Sequence, residues 1–425
     1  MKKILPVKNL REEISIPGDK SISHRAIMLA SLGDTTVEIE NFLAGADCLS
    51  TISCMQKMGV DIQFGEKIFV KGNGLHGLCE PTEILDAGNS GTTLRLLLGL
   101  TAPQNFFVTF TGDSSLKKRP MARVIKPLTE MGASIFGRND NRNLPITVLK
   151  PNKKLYGITY KMPVASAQVK SAVILAALYA ETPTKIIEPY PSRNHTEKML
   201  HAFGANIEIF NNEITIYPAE KLTAPEKIIV PGDISSAAYW IVLATVLKNS
   251  RVVIKNVGIN ETRTGILDVL KNMGAQIEIL NQRESGGEIS ADLKVTSSNL
   301  HGVEFGGGII PRLIDEIPAL AVAAAFADGD TVINDVGELR VKETDRLAAI
   351  VEEFNKISPN SFETTENTLT IHGGNKKFFA ECKTCADHRM AMALSIFGAA
   401  AEGVQIDDAE CVKISYPNFF ETLGA

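Results

Sequence analysis

No apolar run in this chain exceeds nine residues, the length reached at 319–327. That is far short of a membrane-spanning helix. The N-terminal MKKILPVKNLREE opens on lysines but has no apolar stretch behind them, so no secretory signal is expected. Cysteine is sparse: Cys48, Cys54, Cys79, Cys382, Cys385 and Cys411 follow no framework spacing. In a large chain without an export signal they are expected as reduced thiols in a cytoplasm. The CxxC of Cys382 and Cys385 has no second CxxC and no histidine pair nearby, so no metal is expected there. Positive charge is not in excess either. Lys plus Arg number 44 against 49 Asp plus Glu, a net charge of −5. This excludes a broadly basic surface for nucleic acid or anionic membranes. Any anionic ligand must be caught by a local cluster of cations. Also missing are a Walker lysine loop, HExxH, GxSxG and a dinucleotide fingerprint. Their absence disfavours nucleotide hydrolysis, zinc proteolysis and hydride transfer.

What is present is repetition. At 425 residues the chain is long enough for two or three domains. One phrase returns at intervals of about seventy residues: an amphipathic stretch, then an aromatic or Met, Gly, a small residue, and a short strand. It reads Met58-Gly59-Val60, Met131-Gly132-Ala133, Phe203-Gly204-Ala205 and Met273-Gly274-Ala275, with glycine spacings of 73, 72 and 70. A worn copy at Phe354-Asn355 and a last one at Leu423-Gly424 extend the count to six units. Each begins with a β-branched strand, as at 36–39, 107–110, 185–187, 251–254 and 331–333. A helix of about a dozen residues follows, as at 121–131 and 262–273, with apolar residues at three- and four-residue steps. The glycine after it fits a left-handed C-terminal cap. One or two strands complete a βαββ-type unit, so the fold class is α/β or α+β.

A second duplication divides the chain. Ile16-Pro17-Gly18-Asp19 recurs as Val230-Pro231-Gly232-Asp233, each before a Ser-rich helix start. The two turns are read as crossings between two similar lobes of three units each. One lobe is discontinuous, 1–16 plus 231–425; the other is 17–230, with a hinge near 16–20 and 230–234.

Polar chemistry concentrates in a few segments. Lys20, Ser21 and Arg25 lie at a turn-to-helix junction, where hydroxyls and cations at a helix start suit an anion. Asn89-Ser90-Gly91-Thr92-Thr93 allows close backbone approach to a ligand, although a plain capped loop gives the same string. Lys117-Lys118-Arg119-Pro120 is a short cation run. Ser166-Ala167-Gln168 opens an apolar helix, and Ser192-Arg193 stands before another helix start. In Arg340–Arg346, Lys342 and Arg346 are four apart and expected on one helical face, with Glu343 beside them. A carboxyl group among cations suits proton transfer near an anionic substrate. Asp315, before the apolar 319–327 run, is read as either a helix cap or a base. Asp387-His388-Arg389 is another cationic helix start.

Taken in order, Pro17–Arg25, Gly88–Thr93, Lys118–Pro120, Ser166–Gln168, Arg340–Arg346 and Asp387–Arg389 make the chain resemble the 5-enolpyruvylshikimate-3-phosphate (EPSP) synthase family, and within it the second bacterial class. The resemblance implies a two-lobed, inside-out α/β barrel of six βαβαββ repeats, three per lobe. It implies transfer of the enolpyruvyl group of phosphoenolpyruvate to the 5-hydroxyl of shikimate 3-phosphate. Phosphate leaves by addition and elimination, on the route to chorismate and the aromatic amino acids, without metal or organic cofactor. Lys20, Ser21, Arg25, Ser166, Ala167, Gln168, Ser192, Arg193, Asp315 and Lys342 would hold shikimate 3-phosphate. Lys20, Asn89, Gly91, Gln168, Arg119, Arg346 and Arg389 would bind phosphoenolpyruvate. Glu343 would protonate the methylene carbon, and Asp315 or Lys20 would deprotonate the hydroxyl. Lobe closure would assemble the site, with 17–230 on the shikimate 3-phosphate side and the discontinuous lobe supplying the acid–base helix. A cytoplasmic monomer with small-molecule substrates and no nucleic-acid or membrane partner is expected.

Three positions depart from the family pattern. Ala167 replaces a second serine, Glu338 stands where many members have Asn, and Ile414 displaces Lys413 by one position. Members of the second bacterial class often tolerate the inhibitor glyphosate, whereas by the resemblance Gly91 would be the small residue that lets it bind, so the resemblance points both ways on sensitivity. The sister transferase acting on UDP-N-acetylglucosamine carries a Cys before its Arg-Pro segment. Here that stretch is Ser114-Ser115-Leu116-Lys117-Lys118. A non-catalytic relative would lack the acid–base carboxyls, and Glu343 and Asp315 are both present.

Overall fold

A computed structural model describes residues 1–424 of the chain. It divides into two compact units. Unit 1 comprises Met1–Pro17, Pro231–Arg283 and the chain from Ile289 onward; unit 2 comprises Gly18–Val230 and Glu284–Glu288. Both Pro-Gly-Asp turns lie at boundaries between the units, and a further pair of boundaries encloses Glu284–Glu288. Each unit has its own continuous apolar core.

The repeat is visible as six small sheets. In unit 2, strand Thr36–Glu40 pairs in parallel with Lys227–Ile229 and antiparallel with Ile68–Lys71. The same plan places Val108–Thr111 between Leu85–Asp86 and Asn143–Leu149, and Thr184–Ile187 between Thr159–Lys161 and Glu213–Ile216. Unit 1 repeats it with Arg251–Gly258 beside Glu13–Ser15 and with Asp330–Asn334 beside Glu304–Phe305. Its last sheet has three strands, and the N-terminal strand Lys2–Ile4 completes it against Val404–Ile406. Strand period sets what faces inward. Val37 and Ile39 are buried, while Glu38 and Glu40 turn outward to Lys67 and Lys227.

The glycines that close the amphipathic helices adopt the left-handed conformation: Gly59 at φ +86°, Gly132 at +103°, Gly204 at +79° and Gly274 at +99°. In the worn fifth copy the helix Arg346–Ile357 runs through the Phe354-Asn355 position, and the left-handed residue is Asn360.

The βαββ plan is incomplete. Each repeat also holds a second helix, apolar on nearly every side: Lys20–Leu32, Gly91–Thr101 and Ala167–Ala177 in unit 2, and Ile234–Val246, Ile317–Ala325 and His388–Ala400 in unit 1. A helix apolar all round belongs in an interior. In unit 1 these three pack against one another; in unit 2, Gly91–Thr101 packs on both of the others. Helices lie inside and sheets outside, the inside-out arrangement within each unit. At each helix start the first N–H groups have no partner within the helix.

Close packing of the central helices depends on small residues. A Cβ at Gly99 would stand 2.1 Å from the carbonyl oxygen of Ala172 on the facing helix. Gly99→Ala should therefore force the two helices apart and cost about 1–3 kcal/mol, the range for overpacking a core. Thermal unfolding followed by circular dichroism reads this as a lower midpoint; an unchanged midpoint would mean that the helix pair is not packed to this tolerance.

Candidate active site

In unit 2 the sequence-expected residues gather at starts of buried helices. Asp19 caps Lys20–Leu32 by accepting from the Ile22 amide, 2.9 Å. A Cβ on the preceding Gly18 would meet the Asn41 carbonyl oxygen at 1.9 Å, so only glycine fits this turn. Lys20 follows, its Nζ 3.2 Å from Asp47 Oδ2 and about a quarter exposed. Arg25 is buried and donates to the Ser21 carbonyl at 2.9 Å, to Thr196 Oγ1 at 2.7 Å and to Ser171 Oγ at 2.7 Å. Burial pulls its pKa down to about 10 against the opposing field of Glu197, so it stays charged at neutral pH. Its neighbour His24 is wholly buried against Thr51, and burial pushes it down to about 3, so it is a neutral core residue.

At the second helix, Ser90 caps by accepting from the Thr93 amide, which leaves Gly91 at the first position. A Cβ on Gly91 would lie 2.8 Å from Arg95 Nη1 and 3.5 Å from Arg119 Nη1. The missing side chain is what lets two guanidiniums approach this backbone. Asn89 bridges the loop to Arg119: its Oδ1 accepts from Nη2 at 2.8 Å, and its Nδ2 donates to Asp113 Oδ2 at 2.6 Å. Gln168 is held by Arg95 Nη1 at 2.5 Å and donates to Thr92 Oγ1 at 2.9 Å. Asn89, Gly91, Arg119 and Gln168 are thus linked through one set of contacts.

The third helix, Ala167–Ala177, begins after Ser166, whose side chain makes no cap bond. Ser166 is therefore not an ordinary capping serine. Ser192 is buried and donates to Glu188 Oε1. Arg193 lies just before the helix His195–Ala202.

Unit 1 carries the acid–base candidates. Asp387 caps His388–Ala400 by accepting from the Arg389 amide, 2.8 Å, and also takes Arg346 Nε at 2.7 Å. Arg346 is 1 % exposed. Its Nη2 donates to Glu343 Oε2 at 2.6 Å, and its Nη1 has no hydrogen-bond partner, with Asp315 Oδ1 at 3.5 Å. Burial disfavours the charge on Arg346, but Asp387 and Glu343 outweigh it and hold the group above its usual range. Arg389 Nη1 donates to the Asp315 carbonyl at 3.2 Å, and its Nη2 is 3.7 Å from Asp315 Oδ2. Burial opposes its charge too, and Asp315 is the main group that raises its pKa nonetheless. For Glu343, burial works upward, but Arg346, a backbone hydrogen bond and Arg389 prevail, and the carboxyl is held below its usual range. Its side chain keeps 43 % of its surface exposed.

One local expectation is overturned. Lys342 and Arg346 do not share a helical face. The chain makes a 3-10 turn over Gly337–Val341, Lys342 is extended at ψ −154°, and the helix starts only at Arg346. Asp345 stops the pattern earlier by capping the Ala348 amide, 3.0 Å. Lys342 instead lies 3.9 Å from Glu338, and Arg340 pairs with Asp345 at 2.9 Å. Nor is Asp315 a cap: the helix Ile317–Ala325 has Glu316 at that position, without a side-chain cap bond. Lys413 lies away from these groups on an exposed ion pair with Glu410.

Several participants were not singled out from the sequence. Arg95 hides in an apolar helix, four residues after Gly91. Burial and the nearby Arg119 and Arg123 lower it to about 10. Asp387 was noticed only as part of a helix start. Glu316, buried, accepts from Ser235 Oγ, and Arg263 Nη2 donates to the same hydroxyl at 2.6 Å. The one legible signal was position, since each lies within a turn of an apolar helix start or in a polar loop.

Each unit thus offers guanidiniums at helix starts, and unit 1 adds carboxyl groups among them. Such an arrangement binds carboxylates and phosphates and can move a proton beside them. The family description "EPSP synthase (3-phosphoshikimate 1-carboxyvinyltransferase)" matches residues 4–423. A 3-phosphoshikimate 1-carboxyvinyltransferase of Thermoanaerobacter sp. (strain X514) is 54 % identical over 416 residues, 97 % of each chain. The solved EPSP synthase of Acinetobacter baumannii superposes with a TM-score of 0.92 at 39 % identity, covering 99 % of this chain and 97 % of that one. The enolpyruvyl transferase NikO from Streptomyces tendae has the same fold, with a TM-score of 0.80 at 18 % identity over 99 % and 96 % of the two chains. A match over nearly the whole length, by family, by relatives and by structure, means that this chain belongs to the EPSP synthase family.

Proposed function

We propose that the residues described above carry out 3-phosphoshikimate 1-carboxyvinyl transfer. The enolpyruvyl group of phosphoenolpyruvate moves to the 5-hydroxyl of shikimate 3-phosphate, and phosphate is released. The observation that carries the assignment is the buried Arg346, held by Asp387 and Glu343, whose Nη1 makes no hydrogen bond and faces Asp315 at 3.5 Å. An anion-binding group and an acid–base group are joined in one ion pair. Family membership supports the choice of substrates.

In unit 2, Lys20, Ser21 and Arg25 are assigned to shikimate 3-phosphate, with Ser166, Ala167, Gln168, Ser192 and Arg193. Asn89, Gly91, Arg119, Lys20 and Gln168 are assigned to phosphoenolpyruvate. Unit 1 supplies Arg346 and Arg389 to phosphoenolpyruvate, and Asp315 and Lys342 to shikimate 3-phosphate. Asp315 or Lys20 takes the hydroxyl proton as the oxygen adds to C2 of phosphoenolpyruvate. Glu343 gives a proton to C3, which becomes a methyl group. Loss of a methyl proton and of phosphate then restores the double bond. The balance is one hydroxyl proton gained by phosphate and one C–O bond exchanged for another.

In the free protein Glu343 is a carboxylate at neutral pH, and against burial Arg346 holds it below its usual range. A carboxylate cannot donate a proton. An anionic substrate that draws on Arg346 removes part of that stabilisation and adds negative charge nearby. Both effects raise the Glu343 pKa, so the acid is armed when substrate is present.

The first test is phosphate release from phosphoenolpyruvate, with shikimate 3-phosphate or UDP-N-acetylglucosamine as acceptor and a chelator present. Release with shikimate 3-phosphate alone is expected; release with the nucleotide sugar alone would transfer the chain to the sister activity. Glu343→Gln should leave substrate binding nearly intact and cut turnover by about 10²–10⁴, as for loss of a general acid; unchanged turnover would remove Glu343 from the chemistry. In steady-state kinetics, Arg119→Ala should raise KM chiefly for phosphoenolpyruvate, whereas a rise confined to shikimate 3-phosphate would reverse the two assignments.

A further inference from the structure

We infer that Lys170, clamped between Glu188 and Glu197, is a positioning residue that tunes the protein for the phosphate of its acceptor substrate. The inference rests on the proposed function and on Ser192 as a phosphate contact. Lys170 is on the third buried helix, Ala167–Ala177, one turn after Ser166, whose carbonyl its amide hydrogen-bonds at 3.0 Å. Its side chain is 1 % exposed, and those of Glu188 and Glu197 are 4 % and 2 % exposed. A lysine so deeply buried is rare unless paired. An ammonium has three donors, and all three are used. They reach Glu188 Oε2 at 2.8 Å, Glu197 Oε1 at 2.7 Å and the Ser192 carbonyl at 3.3 Å. No donor is left for a ligand, so Lys170 acts through what it holds.

What it holds is the phosphate loop. Glu188 follows strand Thr184–Ile187, Ser192 is four residues later, and Glu197 is in the first turn of His195–Ala202. One ammonium therefore ties the helix that carries Gln168 to both ends of the Ser192–Arg193 segment. The same carboxylate that binds Lys170 accepts the Ser192 hydroxyl on its other oxygen.

Charge adds a second reason. Glu188 is a buried carboxylate in direct contact with a residue assigned to a dianionic phosphate. Uncompensated, it would repel that phosphate in a medium of low polarity. Lys170 offsets it. Glu197 is left with one buried oxygen, Oε2, that has no hydrogen-bond partner, and its charge favours the protonated form of Arg25 nearby. Within this cluster Lys170 meets both Glu188 and Glu197, and Arg25 lies in the field of Glu197. Loss of Lys170 frees the loop and exposes the phosphate to Glu188, and both effects weaken the same contact.

Steady-state kinetics on the full chain separate this role from a merely structural one. Lys170→Met should raise KM for shikimate 3-phosphate by about tenfold or more while KM for phosphoenolpyruvate changes less than about twofold, a split expected when one substrate's binding is lost selectively. Because Lys170→Met leaves two buried carboxylates without their cation and can fail to fold, Lys170→Arg provides the milder test. It keeps the positive charge between Glu188 and Glu197 but puts a larger, planar guanidinium in place of the ammonium that also holds the Ser192 carbonyl, and should give a smaller rise of about threefold, again for shikimate 3-phosphate only. Calorimetric titration gives a second readout: the affinity for shikimate 3-phosphate should fall while that for shikimate, the same ring without the phosphate, stays unchanged. Parallel rises in both KM values, equal losses for shikimate and its phosphate, or no change in either variant would overturn the inference. A wild-type chain that releases no phosphate with shikimate 3-phosphate would instead overturn the functional reading on which it rests.

Discussion

Helices that are apolar on every side must be enclosed, and the rest of the molecule follows from that constraint. In each unit three such helices form the centre and small sheets cover them. Enclosing the helices leaves their ends and the loops beside them as the main places where polar chemistry can sit. The N-terminal ends present free N–H groups and a partial positive charge, which favour anions. Lys20, Gly91, Gln168 and Arg389 lie at such starts, in four different repeats. A repeated fold thereby repeats the same kind of helix start, and the residues at each start differ from copy to copy.

The cations at these positions are not left bare. Arg25 is held by hydroxyls and a carbonyl, Arg119 by Asn89, and Arg346 by Asp387 and Glu343. Hydrogen bonds fix the guanidinium planes before a ligand arrives, which lowers the ordering cost of binding. Where the partner is a carboxylate, the contact also favours its ionised form: against burial, Arg346 holds the Glu343 carboxyl below its usual range. In the proposed reaction an anion drawn to Arg346 would weaken that hold, which would couple binding to proton transfer. Lys170 shows the other use of charge: its donors are all consumed internally, by Glu188, Glu197 and the Ser192 carbonyl.

Much of this was legible in the residues. The glycines at 59, 132, 204 and 274 marked helix ends because a left-handed cap favours a residue without a Cβ, and each has positive φ. Strand period two placed Val37 and Ile39 inward. The second helix of each repeat was harder to place, because an apolar stretch without polar gaps has no periodic face to read. Lys342 was misplaced because a four-residue spacing says nothing about where a helix starts. Asp345 caps the helix at Arg346, and Lys342 lies outside it.

By itself the sequence determined the repeat, the strands, the capping glycines and the polar segments, since these depend on local sterics and on the spacing of residue types. It determined the family as well, through the order of six short motifs. Only the tertiary structure decided partnership. That Arg346 spends its donors on Asp387 and Glu343, that Arg95 holds Gln168, and that Lys170 meets two carboxylates and the Ser192 carbonyl are contacts between distant segments. A charged side chain can reach many partners of opposite sign. Which one it takes depends on burial and distance, and those exist only once the helices are packed.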